Sequence, residues 1–114
     1  METPRQYKVS YTETAIQDLE EKADYISCQF QDPALALTWY TRLRDAIQRE
    51  LRSMPSKYPL YSLEPWHSKG IRLFIFRNDV ILYSVDEEHS CVYIRAVCTK
   101  GWDLSAHLTE QEKE

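Results

Sequence analysis

Two amphipathic stretches separated by one sharp break decide most of what this chain can fold into. Ala15, Ile16, Leu19, Ala23, Ile26 and Phe30 recur every three or four residues, which predicts a helix over residues 13–31. Asp32-Pro33 then restarts the pattern, with an acidic N-cap followed by proline at the first helical position. The second stripe is Ala36, Tyr40, Leu43, Ile47, Leu51 and Met54, with Leu35, Trp39 and Ala46 beside it. It predicts a helix to about Ser53, stopped by Met54-Pro55. So short a connection makes the helices antiparallel neighbours, and so wide a stripe has to cover a second element, a sheet.

The flanking segments supply that sheet. Tyr7-Lys-Val-Ser-Tyr11 alternates apolar and polar residues as a short strand does. Thr12 to Thr14 offer N-cap hydroxyls, with Thr14 and Gln17 at capping-box spacing. Residues 55–69 carry Pro55, Pro59 and Pro65 among Tyr58, Tyr61 and Trp66, and read as a loop long enough to be functional. Three strands follow, at about 71–77, 80–86 and 91–99, the first two joined by Asn78-Asp79 as a tight hairpin. The order β-α-α-β-β-β predicts an α+β domain with the helical hairpin packed on one face of a small antiparallel sheet. That domain should span residues 1–104, with 105–114 an acidic, flexible tail.

A formal net charge of −4 argues against a simple nucleic-acid coat or a basic membrane binder. The deficit is local, since residues 1–31 hold three Lys/Arg against six Asp/Glu while the later strands are balanced. No stretch approaches the length of a membrane span, and METPRQYKV lacks the apolar region of a signal peptide, so a cytoplasmic protein is expected. Cys28, Cys91 and Cys98 show no CxxC spacing and read as reduced thiols, with Cys91 and Cys98, seven apart on one strand, on opposite faces. His67, His89 and His107 lack metal-ligand spacing, and a glycine-rich phosphate loop is absent, so no metal or cofactor is expected. Ser27 and Ser84 have no adjacent base, and Glu20-Glu21 and Glu87-Glu88 lack the apolar surroundings that tune a general acid.

What remains is a pair of arginines set in apolar strands: Arg72 in Lys69-Gly-Ile-Arg-Leu-Phe-Ile-Phe76, and Arg95 in Val92-Tyr-Ile-Arg-Ala-Val97. Such a charge is costly unless it is paired or meets an anion. With Asn78-Asp79 as the loop, Phe74 pairs with Tyr83 and Arg72 with Val85. Ile71, Leu73, Ile75 and Leu82 then face the core together with Val92, Ile94, Ala96 and Cys98. Arg72, Arg95, Phe74, Phe76, Tyr83 and Tyr93 share the other face, with Lys69 and Lys100 at its edges. Cations among aromatics suit a phosphate backbone or a partner protein. Ion pairs to Asp86, Glu87, Asp103 or the acidic tail are the plainer reading.

In order and spacing these segments resemble the RelE/ParE toxins of type II toxin–antitoxin systems, the ParE-like branch in particular, over roughly residues 7–104. The pieces are Tyr7-Lys-Val-Ser-Tyr11-Thr-Glu-Thr-Ala15, Asp18-Leu19, Asp24-Tyr25-Ile26, Leu51-Arg-Ser-Met-Pro55, Ile71-Arg72-Leu-Phe, Val80-Ile-Leu-Tyr83-Ser-Val-Asp86, Val92-Tyr-Ile-Arg95-Ala-Val97 and Asp103-Leu104. The resemblance implies a growth-inhibiting toxin that a cognate antitoxin neutralises, acting either on DNA gyrase or, as RelE-like members do, as a ribosome-dependent mRNA endonuclease. For a nuclease, Arg72 and Arg95 match the basic strand positions, with Tyr83 or Tyr93 as the general acid–base. The chain departs from that pattern after Arg95, with Cys98-Thr-Lys100-Gly-Trp102-Asp103 where many members carry a histidine and an Arg-Asp pair. The missing catalytic set and the long hairpin favour the gyrase mechanism; a non-toxic antitoxin-binding homologue is a third reading. Lys69, Arg72, Arg95, Lys100 and Trp102 are the expected target contacts. Trp39, Phe74, Phe76 and Tyr93 are the expected antitoxin contacts, in a homodimer or a toxin–antitoxin hetero-oligomer.

Overall fold

The computed structural model describes residues 5–101. In chain order these form β1 (Lys8–Tyr11), α1 (Glu13–Phe30), α2 (Pro33–Leu51), β2 (Arg72–Phe76), β3 (Asp79–Asp86) and β4 (Cys91–Thr99), with a single 3-10 turn at Pro55–Lys57. Trp102, Asp103, His107 and the tail expected at 105–114 lie outside the described residues.

Thr12, rather than Thr14, caps α1: its Oγ1 accepts the Ala15 N–H at 3.2 Å. Its own N–H donates to the Ile94 carbonyl at 3.1 Å, so the cap also ties the helix to the sheet. Gln31, at φ 50, closes α1 in the left-handed region. Asp32 then caps α2 as expected, its Oδ1 accepting the N–H groups of Ala34 and Leu35 at 3.1 and 3.3 Å. A cap of this kind contributes about 1 kcal/mol. Leu19 and Ala15 of α1 pack against Leu43, Ala46, Ile47 and Leu51 of α2 in one core cluster.

The sheet has the order β1-β4-β3-β2. It is mixed rather than wholly antiparallel, because β1 runs parallel to β4. No local turn sets the direction of β1, whose partner strand lies at the far end of the domain in sequence. Between β2 and β3 the pairs are Arg72↔Tyr83, Phe74↔Ile81 and Phe76↔Asp79, so the loop is Arg77-Asn78 and Asp79 belongs to the strand. The register is offset by two residues from the expected one, which leaves the same side chains sharing a face.

Which face they share is the reverse of the expectation. Phe74, Ile81 and Tyr83 pack into the cluster beneath the helices. Ile71, Val80, Leu82, Ala96 and Cys98 form a second cluster on the other side, around Trp66 of the long loop. In β4 the register shifts between Leu82 and Tyr83, which pair with Ala96 and Ile94, and Arg95 is the extra residue of a β-bulge. Val92 and Ile94 therefore face the helices as expected, while Ala96 and Cys98 do not. Alternation through the bulge also brings Cys91 and Cys98 to the same face rather than opposite ones.

Candidate functional site

Arg72 and Arg95 lie on opposite sides of the sheet. Arg72 pairs with Tyr83 on the helix side, where it is half-buried and its Nη1 donates to the Tyr58 carbonyl at 2.5 Å. Arg95 is exposed on the outer side, its Nε donating to Ser84 Oγ at 3.0 Å and its guanidinium 5.5 Å from the Tyr93 ring centroid. The single aromatic face expected to carry both does not form. Among the described residues, the expected ion pairs to Asp86 and Glu87 do not form either: Asp86 is held by His89 at 2.8 Å, and Glu87 by Arg5, Tyr7 and Ser56. Asp103 lies outside the described residues.

Tyr83 has no surface to offer. It is fully buried, its hydroxyl donates to the Pro55 carbonyl, and burial pushes its pKa far above the usual tyrosine range. Phe74 is buried too, its ring 4.8 Å from that of Tyr58, and so is not a surface contact. Tyr93 is half-buried on the outer side, where a hydrogen bond with Cys91 raises its pKa. Lys69 lies with its Nζ 5.1 Å from the Trp66 ring centroid. Lys100 is exposed just beyond β4, its N–H donating to Asn78 O at 2.9 Å. The outer side thus presents Arg95, Tyr93 and Ser84, a cation braced on a ring, with the free Cys91 thiol hydrogen-bonded to that tyrosine.

The hairpin end holds a polar network that the sequence reading missed. Asp79, 3 % exposed, accepts from Lys22 Nζ through Oδ1 and from Trp39 Nε1 through Oδ2 at 2.8 Å. Lys22 also reaches Thr99 Oγ1 at 3.1 Å. The signal was present in the stripe of α1, where Lys22 falls between Leu19 and Ile26 at helical spacing. Asp79 gave none, because an Asn-Asp pair between strands reads as a turn.

Two clefts flank this network, and both touch Lys22 and Asn78. One, of about 490 Å³, lies between Asp18, Glu21 and Tyr25 of α1 and Val97 and Thr99 of β4. The other, of about 330 Å³, lies between α2 and the β2–β3 turn and holds the half-buried Trp39 and Phe76. Of the four expected antitoxin contacts, these two line the cleft, while Phe74 lies in the buried cluster they pack against and Tyr93 is on the outer side. Among the described residues, no group of three or more His, Cys, Asp or Glu side chains is arranged to hold a metal, and no helix is long and apolar enough to cross a membrane.

Comparison with known proteins gives a consistent picture. The model of a family described as the ParE toxin of the type II toxin–antitoxin system parDE matches residues 9–100. The fold is similar to that in the chromosomal ParDE system from P. aeruginosa, with a TM-score of 0.68 and 15% identity over 84% of this chain and 98% of that one. It is also similar to a chain of the RelBE2 toxin–antitoxin complex from Mycobacterium tuberculosis, with a TM-score of 0.62 and 19% identity over 90% of this chain and 100% of that one. No curated protein matches the sequence at a significant level.

Proposed function

The chain belongs to the family of ParE toxins of type II toxin–antitoxin systems, and from that premise we propose that it arrests growth by binding DNA gyrase, with a cognate antitoxin holding it inactive. The observation that carries the choice of mechanism is the separation of the catalytic candidates. A phosphodiester-cleaving site needs cations and a proton-transfer group converging on one phosphate within hydrogen-bond reach. Here Arg72 and Arg95 are on opposite sides of the sheet, and Tyr83 is sealed beneath the helices against Pro55. Inhibition by binding requires only a shaped surface, and the outer patch of Arg95, Tyr93 and Ser84 offers one.

Induction of the chain without antitoxin, with two readouts, tests this reading. Purified protein should inhibit gyrase supercoiling in vitro, and transcripts on translating ribosomes should stay intact. Ribosome-dependent cleavage abolished by Arg72→Ala or Arg95→Ala would overturn the gyrase mechanism in favour of a nuclease. Normal growth on induction would favour an antitoxin-binding homologue without toxicity.

A further inference from the structure

Among the described residues, the cleft between α2 and the β2–β3 turn is lined by more positive charge than the lining itself neutralises. Arg42 stands on the α2 wall and Arg77 on the turn wall, with Leu35, Trp39 and Phe76 between them. The carboxylate in the lining, Asp79, is already engaged by Lys22 and Trp39. Arg77 instead rests its guanidinium 5.4 Å from the Phe76 ring centroid. Among the described residues neither arginine has an ion-pair partner.

The backbone adds an independent observation. Arg77 sits at φ 57, in the left-handed region that disfavours side chains and that glycine or asparagine adopts more easily. The turn therefore holds an arginine under strain, and the strained residue borders the cleft. At about 330 Å³ the cleft has room for one or two large side chains, and Leu35 at its rim is 41% exposed.

We propose that this cleft docks a partner polypeptide segment that inserts one aromatic or long aliphatic side chain flanked on both sides by carboxylates. The apolar anchor covers Leu35, Trp39 and Phe76 and excludes water from them. One carboxylate meets Arg42 and the other meets Arg77, each forming a charge-assisted hydrogen bond beside a desolvated surface. A basic segment is repelled from both walls. This deepens the reading of the chain as a toxin held by an antitoxin, since it states the chemistry by which a neutralising segment is recognised.

The test pans a phage-displayed random peptide library on the immobilised full chain. A consensus of an aromatic or leucine residue with Asp or Glu on both sides is expected. A synthetic peptide of that consensus should lose at least about tenfold in affinity against Arg42→Glu or Arg77→Glu. Arg44→Glu, on the same helix but outside the cleft, should leave its affinity unchanged. Replacing the peptide carboxylates with lysines should restore binding to the Arg42→Glu/Arg77→Glu double variant, which separates recognition from misfolding. A basic consensus, no consensus, or indifference to both substitutions would overturn the proposal. Growth arrest on induction reads the toxin assignment separately. Arrest without an acidic consensus sinks the docking site alone, and an acidic consensus without arrest sinks the toxicity alone.

Discussion

Lys22 and Asp79 form an ion pair that fastens the middle of α1 to the first residue of β3. The lysine side chain is 17% exposed and the aspartate 4%, so water screens the pair poorly. Trp39 of α2 occupies the second carboxylate oxygen and Thr99 of β4 accepts from the lysine, so two helices and two strands meet at one point. Burying two charges is unfavourable unless their remaining hydrogen bonds are made, and here three of the partners come from different elements. The site therefore sets how the hairpin is seated on the sheet, and with it the shape of the clefts on either side.

Removing one partner leaves the other charged and buried. Lys22→Met should destabilise the fold by about 3–5 kcal/mol, and the double variant Lys22→Met/Asp79→Asn should recover more than half of that loss. Urea unfolding of the three proteins measures both quantities. A single-variant loss below about 1 kcal/mol would mean that the pair behaves as a surface ion pair.

Tyr83→Phe removes the hydroxyl that satisfies the Pro55 carbonyl. It should cost about 1–3 kcal/mol of stability and leave growth arrest intact. If a folded Tyr83→Phe protein were harmless to cells, the tyrosine would have a chemical role that its burial argues against.

The two strand arginines should separate by experiment. Arg72→Ala loses a charged donor to the Tyr58 carbonyl in a half-buried site, at about 1–2 kcal/mol. Arg95→Ala, exposed and bonded to a serine hydroxyl, should change stability by less than about 0.5 kcal/mol. Its effect should appear in gyrase inhibition instead. Equal stability losses for the two variants would contradict their placement.

Glu50 near the end of α2 accepts from Lys57 at 3.0 Å and from the Tyr58 hydroxyl at 2.9 Å. These bonds, led by the one from Lys57, lower its pKa from 4.5 to about 2. A carboxylate with a depressed folded-state pKa stabilises the fold above its unfolded pKa and loses that contribution as pH falls through the folded one. The stability gap between the native chain and Glu50→Gln should thus be full above pH 4.5 and close towards pH 2. Urea midpoints across that range follow it, and a gap that widens on acidification would reverse the assignment.

Burial pushes the Cys98 thiol up to about 12, whereas Cys28 is exposed on α1. The thiolate is the reactive species. An aromatic disulfide reagent at neutral pH should label Cys28 promptly and spare Cys98 until the chain unfolds. Mass spectrometry of the labelled peptides identifies the site, and prompt labelling of Cys98 would show that the Trp66 cluster does not seal it.

Much of the scaffold was legible because its signals are local. The spacing of Leu19, Ile26, Leu43, Ile47 and Leu51 names two helices, and Asp32-Pro33 fixes the break within one residue. The strands fell within one residue of their expected ends, since each is an apolar run between polar turns. Alternation could not decide which face of β2 and β3 meets the helices. Val80, Ile81, Leu82 and Tyr83 are all buried, two on each side, because Trp66 covers the face that the helices leave open.

By itself the sequence determined the element order, the helical hairpin and the presence of two arginines in apolar strands, all of which depend on neighbours a few residues apart. Tertiary structure decided where those arginines go. One extra residue at Arg95 reverses the alternation of β4, and packing of a distant loop against β3 turns Phe74 and Tyr83 inward. A bulge and a second covered face are set by contacts across the sheet, which a single strand's pattern does not encode. The Lys22–Asp79 pair belongs to the same class, since the two residues are far apart along the chain and become partners only when α1 lies down on β4.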